Sequence, residues 1–344
     1  MDARLPALTV DELAATLGSA TRARQALRWL HGPGGVPSAL PARIPGVAAR
    51  AWADLVARTS WTPPRVHDRR TTPDGTTKYA LAFGTTTVEM VRIPARGRST
   101  VCVSSQAGCT RRCIFCATQT LGFVRQLRAD EMVAQFMVAR SEAPVDAPVR
   151  NVVFMGMGEP MDNLDEVLRA VRVLTQTPAP QLRVQSVTVS TSGVLPGMRR
   201  FLRESTASLA LSLNATTDAL RTRLMPHGRI WPIADLVGLL RADAVRNPRR
   251  ECFVEYVLFA GVNDGDTDAE RLVHLLDGVG ARINLIPYNP FPGSELRPPV
   301  PERVLAFQAR VATHGRRSFV RWPRGREIAA ACGQLAGCSK RSRC

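Results

Sequence analysis

Three cysteines in the run GCTRRCIFC, Cys109, Cys113 and Cys116, are the residues of this chain best suited to chemistry. Their Cys-x3-Cys-x2-Cys spacing lets one short loop hold three irons of a 4Fe-4S cluster and leave the fourth iron open. An open iron can be chelated by the amino and carboxylate groups of S-adenosylmethionine. One electron from the cluster then cleaves the sulfonium to a 5′-deoxyadenosyl radical. A zinc site with Cys102 as fourth ligand is the other chemistry open to the run, although zinc ribbons usually pair two close-spaced couples.

A second cue is MGMGEP, residues 155–160, which closes an apolar strand pattern. Gly-x-Gly alone signals a turn. Followed by Glu159 at a strand end, it offers a carboxylate or backbone group that can hold a charged amino group near the cluster. Further polar residues fall where strand patterns stop: Ser190 in TVSTSG, Ser212 to Asn214 in SLNA, and Asn289 in IPYNP. Each alone reads as an ordinary loop residue; together they line up as one bound ligand would require.

Such residues need a scaffold that brings strand ends together. Strand patterns at TVCVSSQ, NVVFMGMG, QSVTVSTSG, SLALSLNA, CFVEYVLFAG, RINLIPYNP and SFVRWP alternate with helical patterns near 128–140, 163–175, 217–224, 232–245, 266–277 and 301–314. This alternation predicts an α/β fold with a parallel sheet and crossover helices. An incomplete (β/α) barrel is expected, because barrels place their sites at strand C-terminal ends. Residues 1–60 read as a small basic helical domain, with a Thr9/Glu12 capping-box pattern and the amphipathic stretch ATRARQALRWLHG. GPGGVPSALPARIPG reads as a loop within it. Residues 61–98 read as a β-rich connecting segment, with KYALAF and TTTVEMVRIP around the turn signal PDG. The barrel is expected over 99–337, followed by a basic tail at 338–344.

Composition narrows the partners. Lys and Arg total 46 against 29 Asp and Glu, a formal charge of +17 that favours a polyanion such as nucleic acid. Lys78 and Lys340 are the only lysines. A GC-rich coding bias explains arginine over lysine but not the excess of bases. No apolar run reaches the roughly 18 residues of a membrane helix, so no membrane partner is expected. The segment MDARLPALTVDELAATLG lacks the basic, apolar and small-residue order of a leader, and a cytoplasmic location is expected. Eight cysteines in such a chain point to metal or redox chemistry rather than a disulfide framework. Cys252, alone in ECFVEYVLF, reads as a strand residue, and Cys338 and Cys344 sit in the basic tail.

The runs CVSSQAGCTRRCIFCATQTLGFVRQLRADEMVAQ, NVVFMGMGEPMDNLDEVLRA, INLIPYNPFPGS and ACGQLAG resemble the RlmN/Cfr family of radical S-adenosylmethionine RNA methyltransferases, from about residue 20 to residue 337. These enzymes modify adenines in 23S ribosomal RNA and, for part of the family, transfer RNA. The resemblance implies that Cys109, Cys113 and Cys116 hold a 4Fe-4S cluster. It implies that Gly158, Glu159, Ser190, Ser212, Leu213, Asn214 and Asn289 contact S-adenosylmethionine. Cys332 in ACGQLAG matches the cysteine that becomes methylated, Cys102 its disulfide partner, and Glu89 in VEMVRIP the proton acceptor.

Carbon 2 of adenine is no nucleophile, which is why extra cysteines are needed. In the implied reaction the Cys332 thiolate takes a methyl from one S-adenosylmethionine by displacement. A second S-adenosylmethionine supplies the radical that activates that methyl for addition to the ring. Glu89 removes the ring proton, and Cys102 attacks the Cys332 sulfur to free the product. A low-potential electron donor such as flavodoxin or ferredoxin and a thiol reductant are implied partners. Asn214 stands where the family usually has His, and MPHGRIWPI lacks the family's lysine-rich loop, which leaves the RNA and ring position open. The competing expectations are methylation at carbon 8, a glycyl-radical activase that needs neither Cys102 nor Cys332, and a zinc-dependent RNA-binding protein without catalysis.

Overall fold

The computed structural model describes residues 3–32, 37 and 39–337, so Cys338, Cys344, the rest of the expected basic tail and part of the GPGGVPSALPARIPG loop lie outside the described residues. The chain opens with β1 (Ala3–Arg4), followed by α1 (Val10–Leu17), α2 (Ala20–Leu30), α3 (Ala49–Arg58) and β2 (Thr59–Ser60), which pairs parallel with β1. The Thr9/Glu12 capping box starts α1: Thr9 N–H donates to Glu12 Oε2 at 2.8 Å, and Glu12 N–H donates back to Thr9 Oγ1 at 3.4 Å. These helices bury their own apolar cluster, including Leu13, Leu27, Trp52 and Leu55. Trp29 meets Trp52 edge-on at 5.6 Å. Arg22, Arg24 and Arg28 stay exposed on α2. The unit is moored to the rest by Arg169, which grips both Glu12 oxygens at 2.8 Å and the Ala7 carbonyl.

The remainder is built on one sheet. Its first strands are β3 (Arg65–Thr71), β4 (Thr77–Phe83), β5 (Thr86–Ala95) and β6 (Arg98–Cys102). A small hairpin, β7 (Gln106–Gly108) with β8 (Phe123–Gln126), follows, then α4 (Ala129–Ser141), β9 (Val149–Phe154) and α5 (Leu164–Thr175). Next come β10 (Val187–Thr191), α6 (Leu195–Glu204), β11 (Ser208–Ser212), α7 (Asp218–Leu224), α8 (Ile233–Arg246) and β12 (Cys252–Leu258). The chain continues through α9 (Asp266–Leu275), β13 (Ala281–Pro287), α10 (Pro301–Thr313) and β14 (Ser318–Val320). Ten strands lie in the order β14-β13-β12-β11-β10-β9-β6-β5-β4-β3. From β6 through β9 to β14 neighbouring strands pair parallel, each reached through a helical crossover, as in an incomplete β/α barrel.

Residues 61–98 are β-rich, as expected, and their strands join the main sheet. β3, β4 and β5 extend the same sheet antiparallel, with Val91 on β5 opposite Cys102 on β6. The PDG turn joins β3 to β4, and the turn between β4 and β5 lies at Gly84 instead. The helix α6 was not expected, because Pro196 and Gly197 look like loop residues. Pro fits a first helical turn, where its missing N–H would be unpaired anyway. Leu195, Met198, Phe201 and Leu202 then supply a buried face at helical spacing.

Pairing registers decide which side chains share a face, since partners across a ladder point the same way. Following them from Lys78 and Glu89 through Val91, Cys102, Val153, Thr188, Ser208 and Ala210 leads to Ser212, Glu255 and Asn284. Ser190 lies opposite Ala210 on that face. The other face is apolar and lies under the helices; Tyr256, for example, stacks on Phe307 of α10 at 5.6 Å. One side of the sheet is therefore a core and the other a row of polar and nucleophilic side chains.

Candidate active site

The cysteine loop leaves β7 through Gly108. At φ +76 a side chain is strained there, and an added Cβ would sit 1.8 Å from the Gly122 carbonyl oxygen. That close approach lets Cys109 N–H donate to Gly122 O at 2.9 Å. Further along, Ile114 N–H donates to Leu224 O at 3.1 Å, and Cys113 packs with Leu220, Leu224 and Met225. Burial pushes the Cys109 thiol up to about 12 and raises Cys113 and Cys116 as well, each thiol near its neighbours adding to the effect on Cys113. Thiols so placed become anions when positive charge arrives with a metal.

Cys102 is buried at the end of β6, and the next cause of its raised pKa after burial is the charge of Cys332. Cys332 rides on a strap, residues 321–337, that returns from β14 across the open side of the sheet. Lys78 Nζ donates to Ala329 O at 3.2 Å, and Arg324 donates to Pro94 O. Ala117 N–H from the cysteine loop donates to Gly333 O at 2.7 Å. Glu89 Oε2 accepts from Ala336 N–H at 3.0 Å and Gly337 N–H at 3.2 Å, while its Oε1 pairs with Lys78 at 2.8 Å. Cys332 is solvent-accessible, yet enough protein surrounds it that burial pushes its thiol up to about 11, with the Glu255 charge the next cause.

Several residues expected to meet S-adenosylmethionine are engaged with the protein itself. Gly158, at φ +105, lies so close to Gln106 that a Cβ would approach within 2.5 Å. Glu159 is buried; its Oε2 accepts from Ser192 N–H at 2.8 Å and Ser192 hydroxyl at 2.6 Å, and its Oε1 from Met161 N–H at 3.0 Å. Burial raises its pKa, which the Ser192 bonds oppose. Asn214 adopts φ 58, with Oδ1 accepting from Val257 N–H at 2.9 Å. Leu213 is fully buried and bonded through its backbone to Glu255 O at 3.0 Å. Asn289 Nδ2 donates to Cys332 O at 3.2 Å, tying the strap to the end of β13. Ser190 and Ser212 face the polar side of the sheet, Ser212 half-buried beside Glu255.

Three residues at this site escaped sequence reasoning. Glu255 is buried, accepts from Asn284 Nδ2 at 2.7 Å, and is raised to about 7 by burial against the pull of that bond and of Arg321. A charged residue inside the apolar strand CFVEYVLF was its signal. Lys78 was visible only as one of two lysines in an arginine-rich chain. Arg221 on α7 is fully buried, donates to Ser192 O, and leaves Nε and Nη1 without partners. Nothing in DALRTRL marks it as different from its neighbours.

Comparison with known proteins decides the family. The profile of the Radical SAM superfamily matches residues 103–273. A dual-specificity RNA methyltransferase RlmN from Anaeromyxobacter sp. (strain Fw109-5) is 42% identical over 340 residues, covering 96% of this chain and 89% of that protein. Its counterpart from Syntrophobacter fumaroxidans is 46% identical over 268 residues, 76% of this chain and 77% of that protein. The chain belongs to the RlmN family. A crystal structure of a radical SAM methyltransferase from Sphaerobacter thermophilus superposes with a TM-score of 0.88 at 37% identity, covering 97% of this chain and 99% of that one.

This RlmN-family chain is therefore a radical SAM methyltransferase with a partial β/α barrel. The family implies S-adenosylmethionine and a 4Fe-4S cluster, and the three cysteines of the loop fit the cluster. Cys109, Cys113 and Cys116 offer three thiols from one loop, and a cluster takes one thiolate per iron. Among the described residues, no three Cys, His, Asp or Glu side chains converge on a single ion. The fully buried Arg221, with two unpartnered nitrogens, adds a positive charge beside that loop. Among the described residues, no helix is long and apolar enough to cross a membrane.

Proposed function

We propose that this methyltransferase acts on RNA and methylates carbon 2 of an adenine in 23S ribosomal RNA through a methylated Cys332. The observation that supports this most directly is that the strap carrying Cys332 crosses the sheet face on which Cys102 lies, near enough for the charge of Cys332 to bear on the Cys102 thiol. Two molecules of S-adenosylmethionine would serve a turnover: one would give Cys332 its methyl group, and the second, with a cluster held by Cys109, Cys113 and Cys116, would supply the hydrogen-abstracting radical. The chain supplies the rest. Cys332 accepts the methyl as a thiolate, and its accessible position lets an adenine reach it.

Glu89 takes the ring proton. Its Oε2 is already held by the Ala336 and Gly337 N–H groups, so a proton arriving there competes with both donors. Proton acceptance and loosening of the segment that carries Cys332 thus go together. The Cys102 thiolate then attacks the Cys332 sulfur: a Cys102–Cys332 disulfide forms, the S–CH2 bond to the adenine breaks, and its electron pair goes to the methylene carbon, which takes a proton to become the methyl group. A thiol reductant returns both to thiols. A low-potential one-electron donor such as flavodoxin or ferredoxin reduces the cluster. RNA is held in part by the exposed arginines of α2, in line with the +17 charge.

The test uses two variants on labelled RNA. Cys332→Ala should neither become methylated nor join RNA. Cys102→Ala should be methylated, add to adenine and then stall as a protein–RNA adduct on Cys332, visible on denaturing gels and placed by mass spectrometry. Digests of RNA modified by wild type should carry the methyl at carbon 2. A Cys102→Ala enzyme that turns over without adduct would rule out the paired-cysteine route, and methyl at carbon 8 would reassign the ring position.

A further inference from the structure

Arg221 presents a physical problem. A guanidinium cannot lose its proton in a protein, and burying one without partners is strongly unfavourable. Arg221 is 0% exposed, and among the described residues its guanidinium makes one hydrogen bond, Nη2 donating to Ser192 O, while Nε and Nη1 have none. Two glycines make room for it: an added Cβ on Gly193 would lie 2.6 Å from Nη2, and one on Gly228 would lie 2.9 Å from Nη1. Both orphaned nitrogens are sealed from solvent, so no diffusing ligand reaches them. Whatever balances this charge must be carried by the protein or by the loop beside it.

The candidates are few. Asp218 is exposed and accepts from Ile233 N–H at 2.8 Å. Glu159 is consumed by Ser192 and Met161. Arg111, the other arginine here, has its own carboxylate in Asp162. What acts on Arg221 most strongly among charged neighbours is Cys113, ahead of Asp218 and Glu159. The two elements are pinned together: Ile114 N–H donates to Leu224 O at 3.1 Å, and Cys113 packs in one apolar cluster with Leu220, Leu224 and Met225.

We infer that Arg221 is the buried counter-charge of the iron–sulfur cluster and that it sets the cluster's reduction potential by favouring the reduced form. The inference rests on the reading that Cys109, Cys113 and Cys116 hold that cluster. Three thiolates give the loop a net negative charge, and taking up one electron makes it more negative by one unit. A fixed positive charge in a region of low dielectric stabilises the reduced form more than the oxidised one. Because the guanidinium is fully buried, with Gly193 and Gly228 leaving just the room it fills, its charge acts without intervening solvent. Arg221 is thus a positioning charge rather than a catalytic residue, acting through the cluster loop without touching substrate.

The experiment is a redox titration of the full chain, loaded anaerobically with iron and sulfide, followed by electron paramagnetic resonance in the absence of S-adenosylmethionine. Wild type is compared with Arg221→Met, Arg221→Gln and Arg221→Lys. In either neutral variant the ratio of reduced to oxidised cluster at a fixed potential should fall about tenfold, a downward shift of about 59 mV for one electron. Arg221→Lys, which keeps the charge, should shift less than half as far. Loss of the cluster from both neutral variants with retention in Arg221→Lys would also support a charge role. Neutral variants that titrate like wild type, or an Arg221→Lys that shifts as far as Arg221→Met, would overturn it. So would loss of the cluster from all three, which would show that shape rather than charge is required. Wild-type protein that binds no iron would overturn the cluster reading itself, and the inference with it.

Discussion

Lys78 Nζ lies 2.8 Å from Glu89 Oε1, a pair on neighbouring strands whose side chains are only 13% and 6% exposed. The same lysine also donates to Ala329 O, and the same glutamate accepts from Ala336 and Gly337, so this one pair holds the middle and the far end of the strap. Removing one partner of a buried pair leaves the other charge uncompensated. Lys78→Met should therefore destabilise the fold by roughly 3 kcal/mol, measured by denaturant unfolding. Residues 329–337 should also exchange amide hydrogens faster. The double variant Lys78→Met/Glu89→Gln should lose less than the sum of the single changes. Additive losses would show that the pair is not coupled.

Glu255 gives a pH dependence of definite sign. Burial raises its carboxyl from the ordinary 4.5 to about 7, opposed by the Asn284 bond and the Arg321 charge. The folded state binds this proton more tightly than the unfolded chain does. The resulting stabilisation is full below about pH 4.5 and is lost as pH rises through 7. At about 1.4 kcal/mol per pKa unit the loss over that window is roughly 3 kcal/mol. Glu255→Gln should flatten this slope, read from unfolding free energies at pH 5 and pH 8 in both proteins. The variant should also alkylate faster with iodoacetamide at Cys332, since the Glu255 charge holds that thiol up. An unchanged slope would show that Glu255 does not titrate in this window.

Arg24 and Arg28 stand one helical turn apart on the exposed side of α2. If they meet phosphates, Arg24→Glu/Arg28→Glu should weaken RNA binding and lower the slope of log affinity against log salt by about 0.7 for each phosphate of single-stranded RNA left unneutralised. Cleavage of S-adenosylmethionine without RNA should be unaffected. Filter binding across a salt series measures the slope, and an unchanged slope would place RNA docking elsewhere.

Much of the architecture was legible because its signals are local. Apolar runs such as TVCVS, SVTVS and LALSL mark β6, β10 and β11, and α5 announces itself by apolar spacing. The cysteine loop was legible for the same reason, since three ligands on one short segment need no knowledge of tertiary structure. What could not be read depends on pairing between distant strands. Whether residues 65–95 form their own unit or extend the barrel is decided by the Val91–Cys102 register, to which no single segment points. Glu255 and Arg221 matter through what surrounds them, and burial of a charge is a property of the packed molecule. Asn214 illustrates the converse: a polar residue at a strand end invites a ligand, yet its carboxamide oxygen accepts from Val257.

The strap also has a consequence for the order in which the molecule assembles. Lys78 and Ala329 are separated by 251 positions in the chain, and Glu89 and Ala336 by 247. Contacts between residues so far apart carry a large loop-closure entropy and form after the local strand–helix units. The sheet and the cysteine loop can thus be in place while Cys332 is still unanchored. A chain with its sheet formed and its strap still open would present Cys109, Cys113 and Cys116 to incoming iron and sulfide with the site uncovered. Closing the strap is then the step that brings Cys332 over the sheet.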